Sequence, residues 1–255
     1  MPVSSSKRVL YAALSITILL SLWQICSLFG LIDPHLIPPP TRVIVAIVEW
    51  AKSGELARDF LDSIWRALTG LIVGSLIGII LGLWTGRNQL INYLLTPILN
   101  VLKAFPPVAM LPLFITLFGI GDFSKIFAIS FASIFPLWVN THLGSNNIPI
   151  EFIRSARLLS GSKVKIFFRV IIPASMNSII AGFRISIAIS FIMLYVSELA
   201  GASGGLGYQI SSSQLAYRMD KMIGALILLG LTASLVDLIF NRAIDHFFPW
   251  VRLIK

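Results

Sequence analysis

SARLLSGSKVKIFFRVIIP (residues 155–173) carries Arg157, Lys163, Lys165 and Arg169 and no acidic residue. It interrupts a chain of 255 residues that is 56% hydrophobic and 12% charged, with a mean hydropathy of +0.88. Soluble domains carry roughly twice that share of charge. The apolar residues also gather into runs of about 18 or more, the length that spans a bilayer as a helix. Six spans are expected, at about 9–29, 64–86, 97–119, 126–143, 179–197 and 222–242. The fold class is therefore an all-α membrane protein, and the basic stretch lies between its fourth and fifth spans.

The first run is longer than a signal-peptide core and no small-residue cleavage site follows it, so it is expected to be retained. It contains Cys26, the single cysteine, which is read as a packing residue; there is no disulfide framework and no Cys/His metal spacing. The formal charge of +9 is spread over the loops, where topology accounts for it better than nucleic-acid binding does. The third span contains Pro106, Pro107 and Pro112 and is expected to be kinked. Between the first two spans, Pro38, Pro39 and Pro40 stop any helix and Thr41 caps an amphipathic one. Val43, Ile44, Ile47, Val48 and Ala51 share a face suited to the bilayer surface.

Orientation follows from Lys and Arg. With the N-terminus in the cytoplasm, that side holds Lys7, Arg8, Arg87, Arg154, Arg157, Lys163, Lys165, Arg169, Arg242, Arg252 and Lys255. The outer side holds Arg42, Lys52, Arg58, Arg66, Lys125, Arg218 and Lys221. The bias predicts both termini inside, with the opening stretch cytoplasmic. From Ile150 to Pro173 this loop divides into two amphipathic pieces. Phe152, Ile153, Ala156 and Leu159 share one face of the first; Ser160, Gly161 and Ser162 break it. Val164, Phe167, Phe168 and Ile171 line the second, and Pro173 closes the pattern before the fifth span. Two readings fit these residues: a basic loop held on anionic membrane lipid, or a helix pair that docks a partner.

The segment resembles the cytoplasmic coupling loop of ABC-importer permeases, whose pattern is Glu-Ala-Ala, three residues, Gly, nine residues, Ile-x-Leu-Pro. Arg154, Ser155 and Ala156 take its first three places, Ser160 the glycine place with Gly161 after it, and Val170, Ile172 and Pro173 its close. Arg replaces Glu and Ser replaces Gly, so the family's contacts do not transfer residue by residue. LIPPPTRVIVAIVEW, SIWRALTGLIVGSLIGIILGLWTGR, PILNVLKAFPPVAMLPLFITLFGIGDFSKI and VSELAGASGGLGYQI resemble the entry segment, the glycine-rich second span, the double-proline third span and the loop after the fifth span of the nitrate, sulfonate, taurine and bicarbonate permeases. The resemblance covers residues 36 to 250. It implies a type I, binding-protein-dependent permease fold of six transmembrane helices, with an outer amphipathic helix and a cytoplasmic coupling helix. Residues 1–63 hold the first span and the amphipathic segment, and 64–250 the permease core. The implied partners are ABC ATPase subunits, a periplasmic or lipid-anchored substrate-binding protein and a second permease copy in a homodimer, in a bacterial inner membrane. The implied ATPase-coupling residues are Arg154, Ser155, Ala156, Leu159, Ser160, Gly161 and Pro173. The outer loop GLGYQISSSQLAYRMD is closer to the sulfonate and taurine permeases than to the nitrate ones.

No phosphate-loop motif, Ser/His/Asp triad or HEXXH motif is present, so ATP and Mg are expected on a partner and no cofactor on this chain. His35, His142 and His246 read as interfacial residues. Lys103, Arg184 and Asp237 fall inside spans, where ionisable groups face partners or water. Each is expected about 8–10 Å from a cytoplasmic helix end, which would let Asp237 pair with Arg184 or Lys103. Alternatively, Lys103 or Arg184 offers positive potential along a translocation path shared with Pro106 and Pro107, or snorkels to the interface. Gly70, Gly74, Gly78 and Gly82 recur every fourth residue, a ridge for close helix contact. The glycine-rich loop 201–207 is expected to be a flexible gate or a landing site for a binding protein. A standalone channel or secondary transporter remains the alternative function; it lacks evident inverted repeats and has no use for the coupling loop.

Overall fold

A computed structural model of the chain describes residues 5–31, 33–159 and 161–254. Helix α1 (Ser5–Leu28) and helix α2 (Pro40–Lys52) precede helix α3 (Glu55–Arg87), whose 33 residues make the longest uninterrupted α-helix. Gly54, in the left-handed region at φ 78°, lets the chain turn into α3 well before the expected start of the second span. Helices α4 (Gln89–Ala104), α5 (Pro107–Phe118) and α6 (Asp122–Asn146) follow. Then come α7 (Ile150–Leu159) and α8 (Lys163–Ile166), which runs through a π-helical turn at Phe167–Ile171 into α9 (Ile172–Leu199). Helices α10 (Leu206–Leu215) and α11 (Met219–Phe247) complete the order.

The glycine ridge of α3 lies against α6, as the spacing predicts. A Cβ at Gly74 would collide with the carbonyl oxygen of Ser130, and Gly86 extends the ridge to Ser145. On the opposite flank of α6, Gly182 of α9 approaches Pro136, and Ser186 Oγ donates to Ser133 O (3.0 Å). Leu71, Ile129, Ala132, Ile187 and Leu194 fill the space between these three helices, with Leu111 and Phe114 of α5 closing it. Small residues thus bring the backbones close enough for dispersion contacts, which drive association where water is absent.

Among the described residues, α3, α6, Lys163–Leu199 and α11 are long and apolar enough to cross a membrane, and α4 with α5 forms a fifth candidate bent by 96°. The first expected span lies in α1, whose described apolar stretch, Ala13–Leu28, is shorter. The count of six is therefore not reproduced by length and apolarity alone. The expected kink in the third span is a break. Pro106 and Pro107 together remove two backbone donors, and Phe105 and Pro106 are both extended. Helix α2 also departs from its expected face. Val43, Ala46 and Trp50 are buried, with Ile47 against Gly224 of α11, whereas Ile44 and Val48 stay exposed. The gap left by Gly224 and the anchoring of the Trp50 indole rotate the buried stripe toward α11.

Candidate functional site

Three assemblies of side chains stand out along the bundle, two at opposite ends of α3 and one between them. At the C-terminal end of α3, Leu83 packs with Ile148, Ile153, Ile166 and Ile171, so that α7 and α8 are seated on the bundle. The chain breaks between α7 and α8, as expected; Ser160 lies outside the described residues, Gly161 is exposed, and Ser162 Oγ accepts from Lys165 N–H (3.4 Å). Only part of each expected apolar face is buried. Ile153 and Ile166 point inward, Ala156 is half-buried, and Phe152, Val164 and Phe168 remain exposed, with Leu158 and Leu159 each 89% accessible. Arg154, Ser155 and Pro173 are exposed as well. Pro173 does not end a separate short helix as expected. A continuous helix runs from Lys163 to Leu199, and its π-turn includes an Ile172 N–H to Phe167 O bond. A proline cannot donate to the carbonyl four residues back, and the wider i→i+5 register accommodates that missing donor without breaking the helix.

About 25 Å away along α3, Arg66 and Glu198 form a buried ion pair (Nη1–Oε1 2.7 Å). Glu198, 0% accessible at the end of α9, also accepts from Ser63 Oγ (2.8 Å) and from Gly207 N–H (2.8 Å). Arg66 donates to Gly204 O (2.8 Å) and through Nε to Asp122 at the start of α6 (2.8 Å). Asp59 accepts from Gly205 N–H (2.8 Å), Gln209 Nε2 (2.8 Å) and Trp50 Nε1 (3.2 Å). Ser63 Oγ takes the Leu206 N–H (2.8 Å). These bonds tie α2, α3, α6, α9 and α10 together through one loop. Desolvated charges are tolerated because their lone pairs and protons are met. Gly205 is at φ 123°, and a side chain there would run into the Glu198 carboxylate. The loop after α9 is thus pinned rather than free, contrary to the expectation of a flexible gate.

Between the two ends, Lys103 sits in the last turn of α4, at the break. It lines a cavity of about 520 Å³ with Pro107 and Val108 of α5, Phe135, Val139 and Asn140 of α6, and Ile189 and Met193 of α9. Its ammonium lies 5.8 Å from the centroid of the Trp138 ring. Trp138 Nε1 donates to Thr85 Oγ1 (3.1 Å), which is also 2.9 Å from His142 Nδ1. His142 is accordingly a half-buried member of the α3–α6 contact. The expected pairing of Asp237 is corrected: no ion pair joins it to Lys103 or Arg184 among the described residues, and it accepts instead from Asn241 one turn on (2.9 Å). The break at Phe105–Pro106 ends α4 at Ala104, one residue past Lys103, so equal depths along three straight helices do not arise. Arg184 is exposed and does not line the cavity; Pro107 lines it and Pro106 does not.

Residues 74–253 match the family model of the binding-protein-dependent transport system inner membrane component. The chain belongs to this family. The permease is 30% identical over 220 residues, 86% of its own length and 80% of the other, to a Bacillus subtilis protein that carries the provisional name aliphatic sulfonates transport permease protein SsuC. It is 29% identical over 242 residues to the nitrate import permease protein NrtB of Synechocystis, covering 91% of the permease and 86% of NrtB. An inward-facing structure of the MetNI methionine ABC transporter shares its fold, with a TM-score of 0.62 over 78% of the permease and 96% of that chain at 19% identity. The permease is a multi-pass inner-membrane protein of the ABC-importer fold.

The Arg66–Glu198 network is not visible in the sequence: the charge count places Arg66 among the flanking charges of the outer side and assigns Glu198 no role. One signal was available: Arg66 falls three positions inside the second span, where an unpaired guanidinium is costly. Its partner, 132 positions away, is not recoverable from local pattern.

Proposed function

We propose that this permease is the transmembrane subunit of an ATP-driven importer of a small anion of the sulfonate, taurine, nitrate or bicarbonate class, working by alternating access as one half of a homodimer. ATP and Mg belong to separate ATPase subunits docked on residues 150–173, where Arg154, Ser155, Ala156, Leu159, Ser160, Gly161 and Pro173 form or frame the contact. A binding protein delivers substrate at the Arg66–Glu198 end, which faces outward with both termini in the cytoplasm; lipid covers the remaining apolar surface. The core of residues 64–250 carries the path, with Lys103, Pro106 and Pro107 at its break and Arg184 and Asp237 further along it on α9 and α11.

One observation carries this reading. Leu158 and Leu159 stand exposed at the tip of α7, beside a helix that is continuous from Lys163 to Leu199. A push on that tip crosses the break at 160–162 through the packing of Ile153 with Ile166 and Ile171, which hands it to the full-length helix, and packing against Leu83 passes it to α3. Exposed apolar side chains flanked by Arg154 and Arg157 suit a protein groove with an acidic rim better than a lipid surface alone. Reconstitution in proteoliposomes with its ATPase and binding protein tests the reading. Uptake should require ATP and the binding protein, and uptake without either would sink it.

A further inference from the structure

We propose that the cavity beside Lys103 is a substrate site for an amphiphilic monoanion, a linear alkanesulfonate, so that the membrane subunit itself selects for an alkyl chain. The inference rests on the import reading above and adds a chemical class and a location to it. Among the described residues, Lys103 is the one cation lining the cavity, and no carboxylate lines it. The ammonium lies 5.8 Å from the Trp138 ring, itself fixed by its bond to Thr85, which places the charge at the α4–α5 break beside the apolar wall. Apart from Asn140, whose Nδ2 already donates to Pro136 O (2.8 Å), the remaining wall is apolar, contributed by residues such as Val108, Phe135, Val139 and Ile189.

Those features sort the candidate anions. Nitrate or bicarbonate entering this cavity would exchange a full hydration shell for one ammonium and at most the second N–H of Asn140, because the rest of the wall returns no hydrogen bonds. Taurine would bring its own ammonium into a space with no acidic residue to receive it. An alkanesulfonate places its head on Lys103 and its chain on the wall, and each buried methylene should tighten binding about fourfold. A volume of about 520 Å³ falls within the usual range for small-molecule sites.

The test uses the full transporter in nanodiscs without binding protein, titrated calorimetrically with methane-, butane- and hexanesulfonate, nitrate and taurine. Affinity should rise about fourfold per methylene, with nitrate and taurine giving no heat of binding. Lys103→Met should weaken hexanesulfonate by about tenfold or more, the loss expected for a charge-assisted contact, whereas Lys103→Arg should retain it. Val139→Asn, which leaves the head contact alone, should flatten the chain-length dependence. Co-purification of the ATPase at the wild-type ratio confirms that each variant is assembled. Affinity independent of chain length, or equal in wild type and Lys103→Met as mere partition into lipid would give, overturns the site. If uptake persists with ATP and binding protein in that case, the import reading stands and only the site falls; if uptake needs neither, the import reading itself fails.

Discussion

At Arg66 the buried charges of the permease are met by five elements and a glycine loop; some 25 Å further along the same helix, the packing around Leu83 gives way to two leucines that are 89% accessible. The first end is closed within the chain. Its ion pair, its serine and its three loop N–H donors satisfy one another. The second is closed on one side only: Ile153 and Ile166 anchor α7 and α8, while Phe152, Leu158, Leu159 and Phe168 present apolar surface outward. Each end therefore stores its function differently. A self-satisfied polar network fixes a loop in place, so opening that end means breaking bonds already made. An unsatisfied apolar tip is completed by something outside the chain.

The largest expected effect is at the closed end. Arg66→Met leaves the Glu198 carboxylate buried without its cation, a change that costs about 3–5 kcal/mol. Thermal unfolding of the purified permease should shift strongly downward, and an unchanged transition would show that the network does not hold this end. Gly205→Ala should come next. It forces a side chain into the left-handed region and onto Glu198, at a cost of about 1–3 kcal/mol. Its destabilisation should be smaller in an Arg66→Met background, because the two changes disturb one network and are not independent. Strict additivity would mean that Gly205 answers only to its own backbone.

How much of this was legible beforehand follows the range of each interaction. The glycine ridge of α3 was readable because its period matches one helix face, and the α7–α8 break because Ser160-Gly161-Ser162 is local. The double proline of the third span signalled a bend, but its 96° size depends on how α5 packs under Phe131 and Ile187. A pair of short helices lies at 150–166, yet the apolar face expected of the second omits Ile166, which packs with Leu83 of α3 as α8 continues into α9. The Asp237 pairing failed for a related reason: equal depth along idealised helices does not survive a broken one. Glu198 and Arg66 were both visible as charges and invisible as a pair, since nothing in a helical period reports on contacts 132 residues apart.

At the open end, Leu158→Ser with Leu159→Ser should change stability by no more than about 0.5 kcal/mol, the range of exposed substitutions away from structural features. Co-purification of the ATPase should nevertheless fall sharply, and ATP-dependent uptake with it. That dissociation between stability and assembly is what separates the two ends, because Arg66→Met is expected to lower both. If the double serine variant unfolds as readily as Arg66→Met, the tip is part of the chain's own core and the contrast collapses.

Pro173 supplies the finest distinction, because it belongs to the open end yet lies inside a span. Its missing N–H is what the π-turn at Phe167–Ile171 accommodates. Pro173→Ala restores the donor, so the turn can tighten to an α-helical register. Tightening would rotate α8 relative to α9 by about one residue's worth of helical twist, roughly 100°, and swing Val164 and Phe168 away from the surface that α7 presents. Amide hydrogen exchange should then slow across 167–172, and ATPase affinity should fall, with the melting transition lowered by the loss of part of the Ile166 contact with Leu83. Unaltered exchange in the alanine variant would mean that the π-turn is imposed by packing against Leu83 and Ile148, and that the orientation of the exposed tip is set by the core of the bundle rather than by the proline at its base.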